Sequence, residues 1–203
     1  MKDSNSASTG VRVKTGKAIA VLLRGPLKSP VIVKRQEWIL VDPKHPDTMQ
    51  PYHVVMDLPW TDAREAVKET ASLVRKIASK EIRSWDKAAR ALGLELCGVG
   101  IVAGSDQDPS KIGNPHIRAH AAEGRLFRDA IEAGTDSTLS KCCFLEKEIY
   151  ETAAEELELS VANVKARAAE FGVSVGRPWR GDEKVAAISA WLMLARHVHR
   201  LRR

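Results

Sequence analysis

The stretch Leu94 to Gly104 (LELCGVGIVAG) limits what this chain can become more than any other part of it. It is apolar almost without interruption and is followed by Ser105 and Asp106. A strand with one wet face alternates apolar and polar residues, whereas a strand covered on both faces does not. The run therefore predicts an interior strand of an α/β domain, with helices supplying cover above and below.

The flanking sequence supplies the other layers. Lys17 to Leu23 is a short apolar run broken by Arg24-Gly25-Pro26, and Pro30 to Asp42 is rich in Val and Ile. These read as an antiparallel pair. Pro43 to Gln50 reads as a loop and Tyr52 to Leu58 as a third strand, completing a meander. Thr61 is placed to cap a long amphipathic helix that runs through Trp85 to Leu92 and stops at Gly93.

Beyond the central run, Pro115 stands where a first helical residue would, and a helix is expected over His116 to Ala133. Gly124 interrupts it, which predicts close packing against a neighbour. Ser137 to Leu145 reads as a strand with Cys142 and Cys143 buried in it. Glu146 to Leu157 and Val161 to Glu170, the latter capped by Ser160, read as a helical hairpin. Lys184 to Leu201 is apolar almost all round in its first half, as suits a helix pressed on a sheet.

A chain of 203 residues needs only one domain. The polar, small residues at the start read as a disordered tail over 1–15, with the domain spanning 16–203. No apolar run approaches the roughly 18 to 20 residues that cross a bilayer, so no membrane partner is expected. Cys97, Cys142 and Cys143 have neither zinc-ligand nor disulfide spacing, which fits a reducing, cytoplasmic setting. The formal net charge of +6 favours an anionic partner. Arg196, His197, His199, Arg200, Arg202 and Arg203 concentrate part of that charge at the C-terminus, where cations complement a helix dipole.

Three strands, helix, strand, helix, strand and helices is the element order of the RNase H-like superfamily. The segment Gly113 to Arg125 (GNPHIRAHAAEGR), opening after Asn114, and the alanine-rich Gly181 to Ala190 (GDEKVAAISA) resemble the corresponding helices of RuvC-type Holliday junction resolvases. The resemblance covers Leu94 to Ala195, with the first half matching in order alone. It implies an α/β fold built on an RNase H-like mixed sheet, three antiparallel strands followed by alternating helices and strands, with helices on both faces.

The same resemblance implies a site of acidic residues from the first strand, the central strand and the last helix, holding two divalent metals. This sequence departs at each place. Lys17 to Leu23 contains no Asp and is followed by Arg24. The central strand ends Val102-Ala103-Gly104-Ser105. Lys184 stands where the last helix would carry its carboxylate. The expectation is a non-catalytic binding or assembly module with no metal or other cofactor, for which nucleic acid is the permitted partner and self-association an alternative.

A metal-dependent nuclease remains the second reading, with magnesium or manganese held by Asp57, Asp106 and Asp182; a protein-interaction module is the third. Arg24, Arg177, Arg180 and Lys184 are the anion-binding candidates, with Arg177-Pro178-Trp179-Arg180 forming a basic turn before a helix start. His116 and His120 share a helix face with Glu123 close by, but lack the intervening Glu of a HExxH zinc motif, and no metal is assigned to them. Trp60, Trp85, Trp179 and Trp191 read as core or groove-lining residues.

Overall fold

A computed structural model describes residues 5–201. Five strands form one mixed sheet: β1 (Ser6–Lys14), β2 (Lys17–Arg24), β3 (Val31–Ile39), β4 (Glu95–Ala103) and β5 (Ser140–Leu145). Their spatial order is β3-β2-β1-β4-β5. β2 pairs antiparallel with β1 and β3, while β4 runs parallel to β1 and to β5. The helices are α1 (Pro51–Val54), α2 (Trp60–Ala66), α3 (Lys68–Ala91), α4 (Pro115–Gly134), α5 (Ile149–Glu156), α6 (Val161–Val175) and α7 (Gly181–Leu201). No helix among the described residues is long and apolar enough to cross a membrane.

The first strand of the meander is β1, which corrects the expectation of a tail over 1–15; Met1 to Ser4 lie outside the described residues. Its small side chains, which look like those of a solvated tail, serve close packing on both faces of the sheet. Ser8 Oγ donates to the Ala190 carbonyl at 2.6 Å, and on the other face Thr9 Oγ1 accepts from Trp85 Nε1 at 3.0 Å. Both polar side chains are buried and paired, so their burial carries no unsatisfied group.

Glycine lets α7 lie directly on the sheet. A Cβ on Gly10 would collide with the Ala186 carbonyl, and one on Gly100 would stand 2.7 Å from the Ser189 carbonyl. Ser189 Oγ also donates to the Gly100 carbonyl at 3.2 Å. The apolar face of β2, with Ile19, Val21 and Leu23, packs with Ala187, Ala190, Trp191 and Leu194 of α7. On the opposite face Val11, Ala20 and Leu22 pack with Val74 and Trp85 of α3 and Phe127 and Ile131 of α4. The interior place of β4 and the helices on both faces match the reading of the apolar run.

Three local expectations change. Tyr52 to Leu58 is no strand: Pro51 opens the single turn α1, which rests on α4. The long helix opens at Trp60 without a side-chain cap from Thr61, and is interrupted at Val67 between α2 and α3. β5 is an edge strand, so Cys143 is exposed and Cys142 only half-buried. Asn114 and Ser160 do cap α4 and α6, accepting from Ile117 N at 3.0 Å and Asn163 N at 3.1 Å.

Candidate functional site

β1 and β4 run parallel, so their C-terminal ends open together, and the start of α4 lies over them. The cleft between them has a volume of about 400 Å³ and is lined by Arg12, Lys14, Gly104, Ser105, His120 and Gly124 among others. Gly124 has open space where its Cβ would be, so this glycine borders the cleft and does not serve the close packing expected of it.

Arg12 dominates this cleft. It stands opposite Val102 in the β1–β4 register and is only 6% exposed. Its Nη1 donates to the Val13 carbonyl at 2.7 Å, and Nη2 donates to Glu146, the residue just past β5. Nε lies 3.7 Å from Asp182 Oδ1 in the first turn of α7, and Lys14 Nζ pairs with Asp182 Oδ2 at 2.7 Å. Two carboxylates from two elements thus converge on one guanidinium. Asp182 also suits the positive end of the α7 dipole.

This arrangement does not fit two divalent cations. β1 contributes Arg12 and β4 ends without an acid, while Glu146 and Asp182 are already engaged by cations. A dication about 4 Å from the guanidinium would be repelled by on the order of 8 kcal/mol at an effective dielectric of about 20.

Among the described residues the anticipated carboxylates form no ligand cluster. Asp57 and Asp106 are exposed on the turn after α1 and the loop after β4, and Asp182 is held by Arg12 and Lys14. The anion candidates divide. Arg177, Arg180 and Lys184 line one groove of about 610 Å³ with Trp179. Arg24 pairs with Ala7 at the other end of β1, five residues along β2 from the partner of Arg12, or ~17 Å. Arg24 and Ser105 therefore do not share a sheet end, because β2 runs antiparallel to β1. Lys184 lines the Trp179 groove and is not in the Arg12 cleft.

Glu183, beside Asp182, is buried and serves the fold. Its Oε2 accepts from Arg180 N at 2.8 Å and its Oε1 pairs with Arg35 at 3.0 Å, closing the start of α7.

Sequence reasoning missed Arg12, Lys14, Glu146 and His53. A signal for the first two was present: Val11 and Val13 alternate with Arg12 and Lys14, and Thr15-Gly16 then makes a two-residue turn into β2, with Gly16 at φ +75°. Nothing local marks Glu146 or His53, which arrive from distant parts of the chain.

His53 of α1 joins His116 and His120 of α4, their nitrogen ligand atoms all within 4.8 Å of one another. Glu123, fully buried, accepts from the His53 backbone N at 3.2 Å and lies 2.8 Å from its Nδ1. On the other side of α4, Tyr52 and Trp60 stack with ring centroids 5.6 Å apart. They line a groove of about 510 Å³ with Arg64, Arg75 and Arg125, three arginines against Asp108 and Asp129. Three other tryptophans are anchored by hydrogen bonds, Trp85 on Thr9, Trp179 on the Ala168 carbonyl at 2.7 Å and Trp191 on the Leu27 carbonyl at 3.0 Å, while Trp38 is buried edge-on against Trp85.

At the C-terminus, Arg196 is tied to Glu156 by Nε at 2.8 Å and is therefore not a free cation; Arg202 and Arg203 lie outside the described residues.

A mixed sheet of this order, with helices on both faces, is the RNase H-like α/β fold. Among solved structures the chain is similar to RuvC of Thermus thermophilus in complex with a Holliday junction substrate, with a TM-score of 0.53 and 9% sequence identity. The match covers 94% of this chain and 95% of that one. A second structure of the Thermus thermophilus protein matches with a TM-score of 0.53, 8% identity and the same coverage. No family model matches the sequence, and a search of curated proteins found no match.

Proposed function

We propose that this protein is a resolvase-like domain without the two-metal site, acting as a nucleic-acid-binding module. The observation that carries the reading is Arg12, a buried cation on β1, neutralising Glu146 and Asp182 at the sheet end where the resemblance calls for acidic ligands. The RuvC structure bound to a Holliday junction supports a nucleic-acid partner for this shape of molecule. The net charge of +6 supplies long-range attraction for phosphates. The stacked Tyr52 and Trp60 beside Arg64, Arg75 and Arg125 have the chemistry of a platform for unpaired bases and their backbone.

The test combines binding and cleavage on one set of substrates. Fluorescence anisotropy with four-way, single-stranded and duplex DNA across a salt series is expected to show affinity falling steeply with salt. Incubation with magnesium or manganese is expected to leave each substrate intact. Metal-dependent cleavage abolished by Asp182→Asn would establish the nuclease reading instead. Neither binding nor cleavage, together with self-association or a protein partner, would establish an interaction module.

A further inference from the structure

We infer that His53, His116 and His120 form a binding site for one borderline transition-metal dication, zinc above all, with Glu123 as its supporting carboxylate. The site is independent of the nucleic-acid reading and uses neither Arg12 nor the acidic groups it holds.

Three imidazoles converge from two elements. His116 and His120 stand four apart on one face of α4, and α1 lays His53 against them, with ring centroids 5.1 Å and 4.4 Å from the other two. The mutual separation of at most 4.8 Å between ligand nitrogens compares with about 3.3 Å in a tetrahedral site with zinc–nitrogen bonds near 2.05 Å. Side-chain rotation of about an ångström closes that gap.

Glu123 supplies the second, independent observation. It is a fully buried carboxylate, and its Oε2 has no hydrogen-bond partner. Burying an ionised carboxylate so sparsely bonded is costly unless a cation lies close. A neutral His53 with its proton on Nδ1, 2.8 Å from Oε1, presents its lone pair at Nε2, and that atom too is buried without a partner. A carboxylate fixing the tautomer of a histidine so that its other nitrogen faces a metal is the recurring outer shell of zinc sites. A bound dication would use the Nε2 lone pair and offset the buried charge of Glu123 together.

The ligand chemistry selects the metal class. Three neutral imidazoles suit zinc, copper, nickel or cobalt and give magnesium or calcium no oxygen ligand. His116 and His120 are exposed, so the fourth position is open to water, as in zinc sites with three protein ligands. His120 also lines the Arg12 cleft, which places the metal at the rim of that cleft.

The experiment is calorimetric titration of the chelator-stripped full-length protein with zinc chloride, paired with cobalt(II) absorption spectra. The wild type is expected to bind one equivalent of zinc and to give the intense visible bands of tetrahedral cobalt. His116→Ala/His120→Ala, altered only at exposed positions and checked for folding by circular dichroism, is expected to lose at least 100-fold in affinity. Glu123→Gln is expected to lose about 10- to 100-fold. Wild type binding zinc no more tightly than the double variant would overturn the proposal. So would full affinity in a folded His53→Ala protein, which would leave an exposed two-histidine chelate and a plain His53–Glu123 hydrogen bond.

Discussion

The guanidinium Nε of Arg12 on β1 lies 3.7 Å from the carboxylate of Asp182 at the start of the last helix, across 170 residues of chain. With Glu146 on the other side, this pairing sets the charge of the cleft and ties β1, β5 and α7 together at one end of the sheet.

Arg12→Ala leaves Glu146 and Asp182 facing each other at the cleft, with Lys14 as the remaining cation. Removing one member of a fully buried pair typically costs about 3 to 5 kcal/mol; here the carboxylates left behind reach solvent and Asp182 keeps Lys14, so the expected loss is about 1 to 3 kcal/mol. Urea denaturation of the variant and the wild type measures it. An unchanged midpoint would show that the pairing contributes nothing to the fold.

Gly10→Ala forces a methyl group into the Ala186 carbonyl, which is backbone and cannot swing aside. The expected loss is at the upper end of overpacking effects, about 3 kcal/mol or more, with insoluble expression as its extreme. Gly100→Ala is expected to cost about 1 to 3 kcal/mol. Gly93→Ala fills open space but imposes a side chain on φ +71°, for about 1 kcal/mol. Thermal melts of the three variants should rank them in that order.

Burial pushes the Cys97 thiol up to about 11. The folded protein therefore holds this proton at pH values where the unfolded chain, with a thiol near 8.5 to 9, releases it. Stability from this group is complete below about pH 8.5 and is lost as pH rises toward 11. Denaturant titrations from pH 8 to 10.5 should show a decline that Cys97→Ala reduces. At pH 8 the folded protein should likewise react slowly with thiol reagents at Cys97.

Substituting Arg64, Arg75 or Arg125 by Ala should each lower the slope of log affinity against log salt by about 1 if that arginine meets a phosphate. Trp60→Ala should weaken binding to single-stranded DNA by about 1 to 3 kcal/mol while leaving the salt slope unchanged. Equal effects on duplex and single strands would argue against base stacking on Trp60.

Much of the layering was legible in the amino-acid order. The apolar run of β4, the capped starts of α4 and α6 and the all-round apolar α7 are written in local pattern, because each element's own surroundings demand it. The absence of acids from the end of β4 could be read the same way. β1 escaped because burial beneath a helix backbone selects Gly, Ser and Thr, the residue types that also compose solvated tails.

Sequence alone thus determined the kind of fold and the basic balance of charge, which depend on periodicity and composition. Only the tertiary structure decided that Arg12 meets Glu146 and Asp182, that Arg24 falls at the opposite sheet end, and that His53 completes a cluster with His116 and His120. Strand direction and helix docking bring those groups together across long stretches of chain, and no local periodicity encodes the direction in which a neighbouring strand runs.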